Sequence, residues 1–222
     1  MKKLKKTDYD FLAKEYVSSQ EEFYKDKKDI SRERLFSRIE KPIKGKKILE
    51  IGAGAGDDLE CLYKAGGEVY GIDISTEMIK LANEKHPHLK NLYVGSFEEN
   101  KFADDFFDLI VSRFTIHYSN DLDKGFKEAY RVLKSKGVMI FLVPHPLVDF
   151  IVKKNKVYEK SEVIRRPVFS EKLFLNYPTH TLSEYLSKFV LDHFDLVSLD
   201  EEVNISDKNR ETGFLVIKLR KK

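Results

Sequence analysis

The chain has 222 residues, of which 41% are hydrophobic, 12% aromatic and 35% charged, enough for one domain with a substantial core and a highly charged exterior. The formal charge of +3 sits at the ends: residues 1–6 and 218–222 each hold four basic residues and no acid, which leaves 32 basic against 37 acidic residues between them. Solvated basic tails on a mildly acidic body are expected, not a nucleic-acid-seeking surface. The lone Cys61 excludes an internal disulfide framework and a cysteine-rich zinc site and reads as a buried helix residue. No apolar run approaches the ~20 residues of a membrane span. Polar Thr7, Asp8 and Asp10 follow the first lysines in place of a signal-peptide core, so a cytoplasmic protein is expected.

In chain order, Phe11, Leu12, Tyr16 and Phe23 recur at near-helical spacing. Leu35, Phe36 and Ile39 repeat that spacing after Ser31, the expected cap of a second helix beyond the lysine-rich stretch 25–29. Short apolar runs then alternate with helical segments. Strands are predicted at 47–51, 69–74, 92–94, 107–112 and 138–143, and helices at 57–65, 76–85 and 123–133, with Ser75 capping the second of these. Such alternation predicts parallel strands with helices on both faces. Residues 144–180 hold four of the six prolines and are expected to form an irregular insertion in which Phe150, Ile151, Phe169, Leu173 and Phe174 pack. A helix at 182–191, with Ser183 near its start, and strands at 196–199 and 214–219 complete the sheet edge.

The segment Glu50-Ile51-Gly52-Ala53-Gly54-Ala55-Gly56 places three glycines at alternate positions between a strand and a helix. Glycines there let the backbone turn tightly and approach a ligand, and the helix start offers free amide donors. Asp73 ends the next strand, where an acid can accept from both hydroxyls of a ribose. The dinucleotide fingerprint is broken, because Asp57 stands where its third glycine belongs and would face a pyrophosphate.

Glu50–Gly56 followed by Gly71-Ile72-Asp73-Ile74-Ser75 resembles the class I S-adenosylmethionine-dependent methyltransferases. The resemblance runs from about residue 9 onward and is nearest the small-molecule type grouped with ubiquinone and menaquinone biosynthesis enzymes. Phe107-Asp108-Leu109-Ile110-Val111-Ser112 is similar to that family's fourth strand, and Glu128–Gly137 to the helix and turn before its fifth. Tyr9–Ala13 with Tyr16 resembles an N-terminal cofactor lid, and Thr181–Leu186 and Gly213–Ile217 resemble later segments of members that have the lid.

The resemblance implies a Rossmann-like, doubly wound α/β fold with a mostly parallel seven-stranded sheet whose last strand is antiparallel. Residues 1–45 would be N-terminal helices, 46–143 the cofactor core, 144–180 a substrate cap, and 181–222 the last helix and edge strands of a single domain. It also implies a cofactor, S-adenosylmethionine, converted to S-adenosylhomocysteine. Glu50 and Gly56 belong to the implied cofactor motif, and Gly52, Ala53 and Gly54 would bring backbone against the methionine moiety. Asp73 would hold the ribose, Ile74 and Met78 would face the adenine, and Ser112 and Arg113 would touch the methionine end through backbone atoms. Ser96 stands where members often carry an acid for the adenine amino group; Phe97 can cover the ring, and Glu98 or Glu99 can take the missing role. Tyr16 reads equally as core or lid, and Arg113 as a salt-bridged residue or an anion anchor.

Methyl transfer needs alignment and exclusion of water more than it needs side-chain chemistry. A base is required only for an acceptor that must lose a proton. His117 is the catalytic candidate, with Tyr118, His145 and His180 as further substrate-lining residues on loops where such sheets form their crevice. No metal is expected, since Asp121 and Asp123 read as helix caps. The expected acceptor is an O, N or C atom of a small molecule. An RNA or protein acceptor is the alternative, weakened because the fourth strand runs into Ser112-Arg113-Phe114-Thr115 without the amino-adenine methylation signature and no RNA-binding module is recognisable. A binding protein without catalysis is the alternative of another class.

Overall fold

A computed structural model describes residues 6–148, 158, 163–169, 173–202 and 213–222. Helices α1 (Lys6–Tyr24) and α2 (Ile30–Ser37) precede a run of β1 (Lys47–Ile51), α3 (Asp57–Lys64), β2 (Glu68–Asp73), α4 (Thr76–Lys85), β3 (Leu92–Val94) and β4 (Phe107–Arg113). A 3₁₀ turn (Ile116–Tyr118), α5 (Leu122–Val132) and β5 (Leu133–Pro144) follow, then β6 (Val163–Val168), β7 (Leu173–Pro178), α6 (Leu182–Tyr185), α7 (Lys188–His193), β8 (Phe194–Glu202) and β9 (Phe214–Lys221). The main sheet has seven strands in the order β3-β2-β1-β4-β5-β9-β8. β9 alone runs antiparallel to its neighbours β5 and β8, and the strands from β3 to β5 pair in parallel. The predicted fold class is therefore the observed one.

Both sheet faces are covered, which is why the central strands are apolar at successive positions. Ile48, Leu109, Val111, Ile140 and Leu142 pack toward Leu35 of α2 and Leu59 and Leu62 of α3. Leu49, Ile51, Ile110, Met139 and Phe141 pack on the other face toward Phe126 of α5, Tyr185 of α6 and Val190 of α7. Strand alternation puts Glu50 on the face of Ile48, and Arg113 on that of Leu109 and Val111, beneath α2 and α3. The strand order reverses between β1 and β4, so the loops after these strands diverge and open a crevice at their carboxyl ends.

Several local expectations are corrected. Asp29, not Ser31, caps α2, accepting from Arg32 N at 3.0 Å. Cys61 is exposed, because the inner face of α3 is formed by Asp58, Leu59 and Leu62. β5 starts at Leu133, not 138: Phe107 pairs with Leu133, the register shifts, and pairing resumes at Leu109 with Val138. The proline-rich stretch contains a regular hairpin, β6–β7, where Leu173, Leu175 and Tyr177 alternate inward. Pro167 and Pro178 are tolerated because each strand has only one partner. In that hairpin Phe174 is exposed, while Phe150 and Ile151 lie outside the described residues.

The single helix expected at 182–191 is two. Leu186 leaves the helical region and Ser187 caps α7, while Thr181 and Glu184 form a capping box on α6. The basic C-terminal segment is not a solvated tail. Lys218 and Lys221 are buried in β9, with Lys218 Nζ 2.6 Å from Glu40 and Lys221 Nζ donating to Asp105 and to the Tyr130 and Leu133 carbonyls. Residues 1–5 lie outside the described residues.

Candidate functional site

The crevice holds a cavity of about 230 Å³ bordered by the loops after β1, β2, β3 and β4, by α1 and by the tip of the β6–β7 hairpin. Its floor is the glycine turn. Gly52 has φ +79, and a Cβ there would stand 2.0 Å from Thr115 Oγ1, so this position serves close packing of two loops. Gly54 differs: its φ is +51 and a Cβ would meet no protein atom within 4 Å. The space beside Gly54 is thus left for something other than protein. Gly56, also at positive φ, caps α3 and faces His86 outside the lining.

Five carboxylates line this cavity: Glu50, Asp57, Asp58, Asp73 and Glu98. Asp73 is oriented by backbone amides, with Oδ2 accepting from Gly54 N at 3.0 Å and Oδ1 from Ser75 N at 2.9 Å. Burial raises its carboxyl above the ordinary value, against the opposing pull of those amides. Each oxygen still has a lone pair to offer a hydroxyl. Glu50 is only 3% exposed, and its Oε2 has no hydrogen-bond partner. An unpaired buried carboxylate is costly. Burial, reinforced by the nearby Asp58 charge, holds the Glu50 carboxyl well above its usual range.

A buried ionic network centred on Arg113 and Asp58 forms part of the cavity wall. Arg113 Nε and Nη2 donate to Asp58 at 2.6 and 3.1 Å, and Nη1 donates to Asp29 at 2.9 Å and Ser31 Oγ at 3.0 Å. Arg32 Nε donates to the same Asp58. Burial works against the Asp58 charge, yet Arg113 and Arg32 hold its carboxyl below the ordinary range. Arg113 is therefore salt-bridged, with its guanidinium committed to the protein. Ser112 Oγ donates to Ile51 O at 2.9 Å, which ties β4 to β1.

Tyr16 lines the cavity from α1, its hydroxyl pushed up to about 12 by burial. Its ring meets Phe169 edge-on at 4.9 Å, and Tyr24 lies 6.1 Å from Phe169. α1 is anchored at the amino end of α4, where Asp10 accepts from Ser75 Oγ at 2.6 Å and Glu77 N at 3.2 Å. Phe114 and Phe169, both in the lining, hold left-handed φ values of 50 and 56. Aromatic side chains rarely accept that conformation, and its presence twice here marks a built site.

Of the expected site residues, the cavity brings together Tyr16, Glu50, Gly52, Ala53, Gly54, Asp73, Ile74, Met78, Ser96, Phe97, Arg113 and Tyr118. Ser96 Oγ donates to the Glu99 carbonyl at 3.4 Å, and Glu98, not Glu99, reaches the lining. Ser112, Gly56, His117, His145 and His180 do not line it. His117 is 3% exposed and packs on Tyr118 and Tyr177; burial pushes its imidazole well below the ordinary value, with His180 and Arg166 adding to the effect. His145 Nε2 lies 2.9 Å from Glu201, and His180 Nε2 lies 3.0 Å from Ser119 O. Sequence reasoning missed Asp58, Thr115 and Phe169. The acid pair after the glycine turn signalled the first; Phe169 reaches the site through long-range folding and had no local signal.

The methyltransferase-domain family matches residues 49–141, the segment from β1 into β5. A demethylmenaquinone methyltransferase of Staphylococcus haemolyticus is 30% identical over 182 residues, covering 79% of this chain and 71% of that protein. The chain belongs to the methyltransferase family. A demethylmenaquinone methyltransferase of Chlorobaculum parvum is 33% identical over 119 residues, covering 53% of this chain and 46% of its own. The chain thus spans about half the length of several curated relatives it matches. An S-adenosylmethionine-dependent methyltransferase structure from Mesorhizobium loti shares the fold, with TM-score 0.66 at 16% identity over 85% of this chain and 96% of that one. Among the described residues no helix is long and apolar enough to cross a membrane, and no group of three or more potential ligand side chains could hold a metal.

Proposed function

We propose that this methyltransferase-family chain binds S-adenosylmethionine in the β1–β4 crevice and transfers its methyl group to an O, N or C atom of a small-molecule acceptor. The observation that carries the reading is the pair of carboxylates in one cavity, Asp73 held by two amides and Glu50 with an unpartnered oxygen. Asp73 suits vicinal ribose hydroxyls, Glu50 suits an ammonium group, and the open space at Gly54 suits the chain between them. The residues present fit the cofactor. The Mesorhizobium neighbour carries that cofactor in its name.

The bound cofactor supplies an electrophilic methyl on a sulfonium. The protein's part is to fix its two ends and exclude water from the transfer line. All in the cavity lining, Ile74, Met78, Ser96, Phe97 and Glu98 are assigned in this proposal to the adenine, and Tyr16, Phe169 and Tyr118 to the acceptor. Phe169 acts as part of a substrate cap in this proposal. His117 lies outside the lining, so the reading places it as a support of Tyr118, not as a base.

Calorimetric titration with S-adenosylhomocysteine tests the assignment. Wild type binds one equivalent, and Asp73→Asn binds at least tenfold more weakly; equal affinities for the two proteins would refute the ribose assignment.

A further inference from the structure

The glycine turn and Asp73 account for a nucleoside, but they leave unexplained why a carboxylic acid is buried at Glu50 with no partner. Glu50 is 3% exposed, and Oε2 receives no hydrogen bond among the described residues. The charged groups around it come from three other elements. Asp57 and Asp58 of α3 oppose its ionisation, and Arg113 of β4 and Arg32 of α2 favour it. Both arginines are already committed: Arg113 spans Asp58 and Asp29, and Arg32 Nε donates to Asp58. The remaining titratable groups of the cavity lining, Tyr16, Tyr24, Asp73, Glu98 and Tyr118, bring no positive charge. A carboxylate at Glu50 would therefore add uncompensated negative charge at a buried position, whereas the protonated acid adds none.

We propose that Glu50 keeps its proton while the cavity is empty and releases it to solvent when a ligand carrying an ammonium group binds, so that one proton leaves for each cofactor molecule bound. The inference rests on the cofactor reading above. The charge that Glu50 lacks is supplied by the ligand, and the buried pair forms only in the complex. Glu50 thereby reads the amino-acid half of the cofactor: a nucleoside without that half gains nothing from ionising it. Desolvation favours the neutral form of Glu50 in the empty site, and Asp58, fixed as an anion by its two arginines, acts in the same direction.

The linkage has a definite sign. Below the value at which Glu50 titrates in the empty protein, ligand binding must expel a proton, so affinity weakens tenfold for each unit of falling pH. Above that value the affinity is flat. The ligand's own ammonium stays charged between about pH 5.5 and 7, so it does not contribute to the slope in that range.

The test is calorimetry of the full chain with S-adenosylhomocysteine at pH 6 in two buffers of different ionisation enthalpy. 5′-Methylthioadenosine, which keeps the nucleoside and lacks the amino-acid group, serves as the second probe. The expected result is net proton release on binding S-adenosylhomocysteine, close to none on binding methylthioadenosine, and none in Glu50→Gln, whose affinity for S-adenosylhomocysteine loses its pH slope. Asp73→Asn keeps the proton release if it binds enough ligand to titrate, which separates the two carboxylates. If Glu50→Gln does not fold, the comparison of the two ligands on wild type still decides the matter. S-adenosylhomocysteine binding with no buffer dependence, or equal release with both ligands, overturns the inference and leaves the cofactor site standing. Absence of any S-adenosylhomocysteine binding overturns the cofactor reading itself.

Discussion

Gly54→Ala separates the fold from the site. A Cβ at this position meets no protein atom within 4 Å, so the substitution creates no clash within the chain. Its cost to folding is the left-handed backbone, φ +51, which burdens an L-residue by about 1–2 kcal/mol. Alanine also narrows the unfolded ensemble and returns about 0.4–1 kcal/mol. The net loss of about 1 kcal/mol corresponds to a fall in Tm of about 2–4 °C for a chain of this size. The new methyl group occupies the space left open in the cavity floor, and S-adenosylhomocysteine affinity should fall at least tenfold, about 1.4 kcal/mol. Gly52→Ala is the contrast: its Cβ would stand 2.0, 2.3 and 2.5 Å from Thr115 Oγ1, Cγ2 and Cβ, so the loop after β4 must move and stability falls further. Thermal melts with and without S-adenosylhomocysteine, and calorimetry on both variants, provide the readout. Gly54→Ala protein that melts near wild type and binds within twofold of it would refute the assignment of that space to the ligand.

Other substitutions test the surrounding chemistry. Glu50→Gln should stabilise the ligand-free protein increasingly as pH rises above the ordinary carboxyl value of 4.5. The folded-state carboxyl is raised above its ordinary 4.5, so the stability of wild type is complete below that value and declines as pH climbs toward the raised one. A difference in Tm between variant and wild type that stays constant with pH would contradict this. Asp58→Asn leaves Arg113 and Arg32 beside a neutral partner; loss of a buried ion-pair partner costs about 3–5 kcal/mol, read as a Tm about 10 °C lower. His117→Gln should retain turnover within a few-fold once an acceptor is found, and a loss of about a hundredfold at unchanged cofactor affinity would restore it as the base.

The cofactor half of the fold was legible because its signals are local. The run 47–51, the glycine turn, Asp73 and the cap at Ser75 are each decided by a few adjacent residues, and the structure places them within the predicted bounds. Features set by distant partners were not legible. The burial of Lys221 depends on Asp105 and the Tyr130 and Leu133 carbonyls, and no composition rule distinguishes that lysine from a solvated one. The same holds for His117, which reads as a loop histidine near the expected crevice but turns against Tyr177 of the hairpin. The hairpin was missed: the alternation Leu173, Leu175, Tyr177 carried it, but the prolines, which suit strands with a single partner, made the stretch read as irregular. Arg113 was bounded to two roles by sequence, and the choice was made by Asp29 and Asp58 arriving from α2 and α3.

The most direct measurement is a crystal structure of the chain grown with S-adenosylhomocysteine. The expected density fills the β1–β4 crevice, with the ribose hydroxyls on Asp73, the ammonium group at Glu50 and the adenine between Ile74 and Phe97. Ligand bound elsewhere, or bound in the crevice with its ribose away from Asp73, would contradict the proposed site.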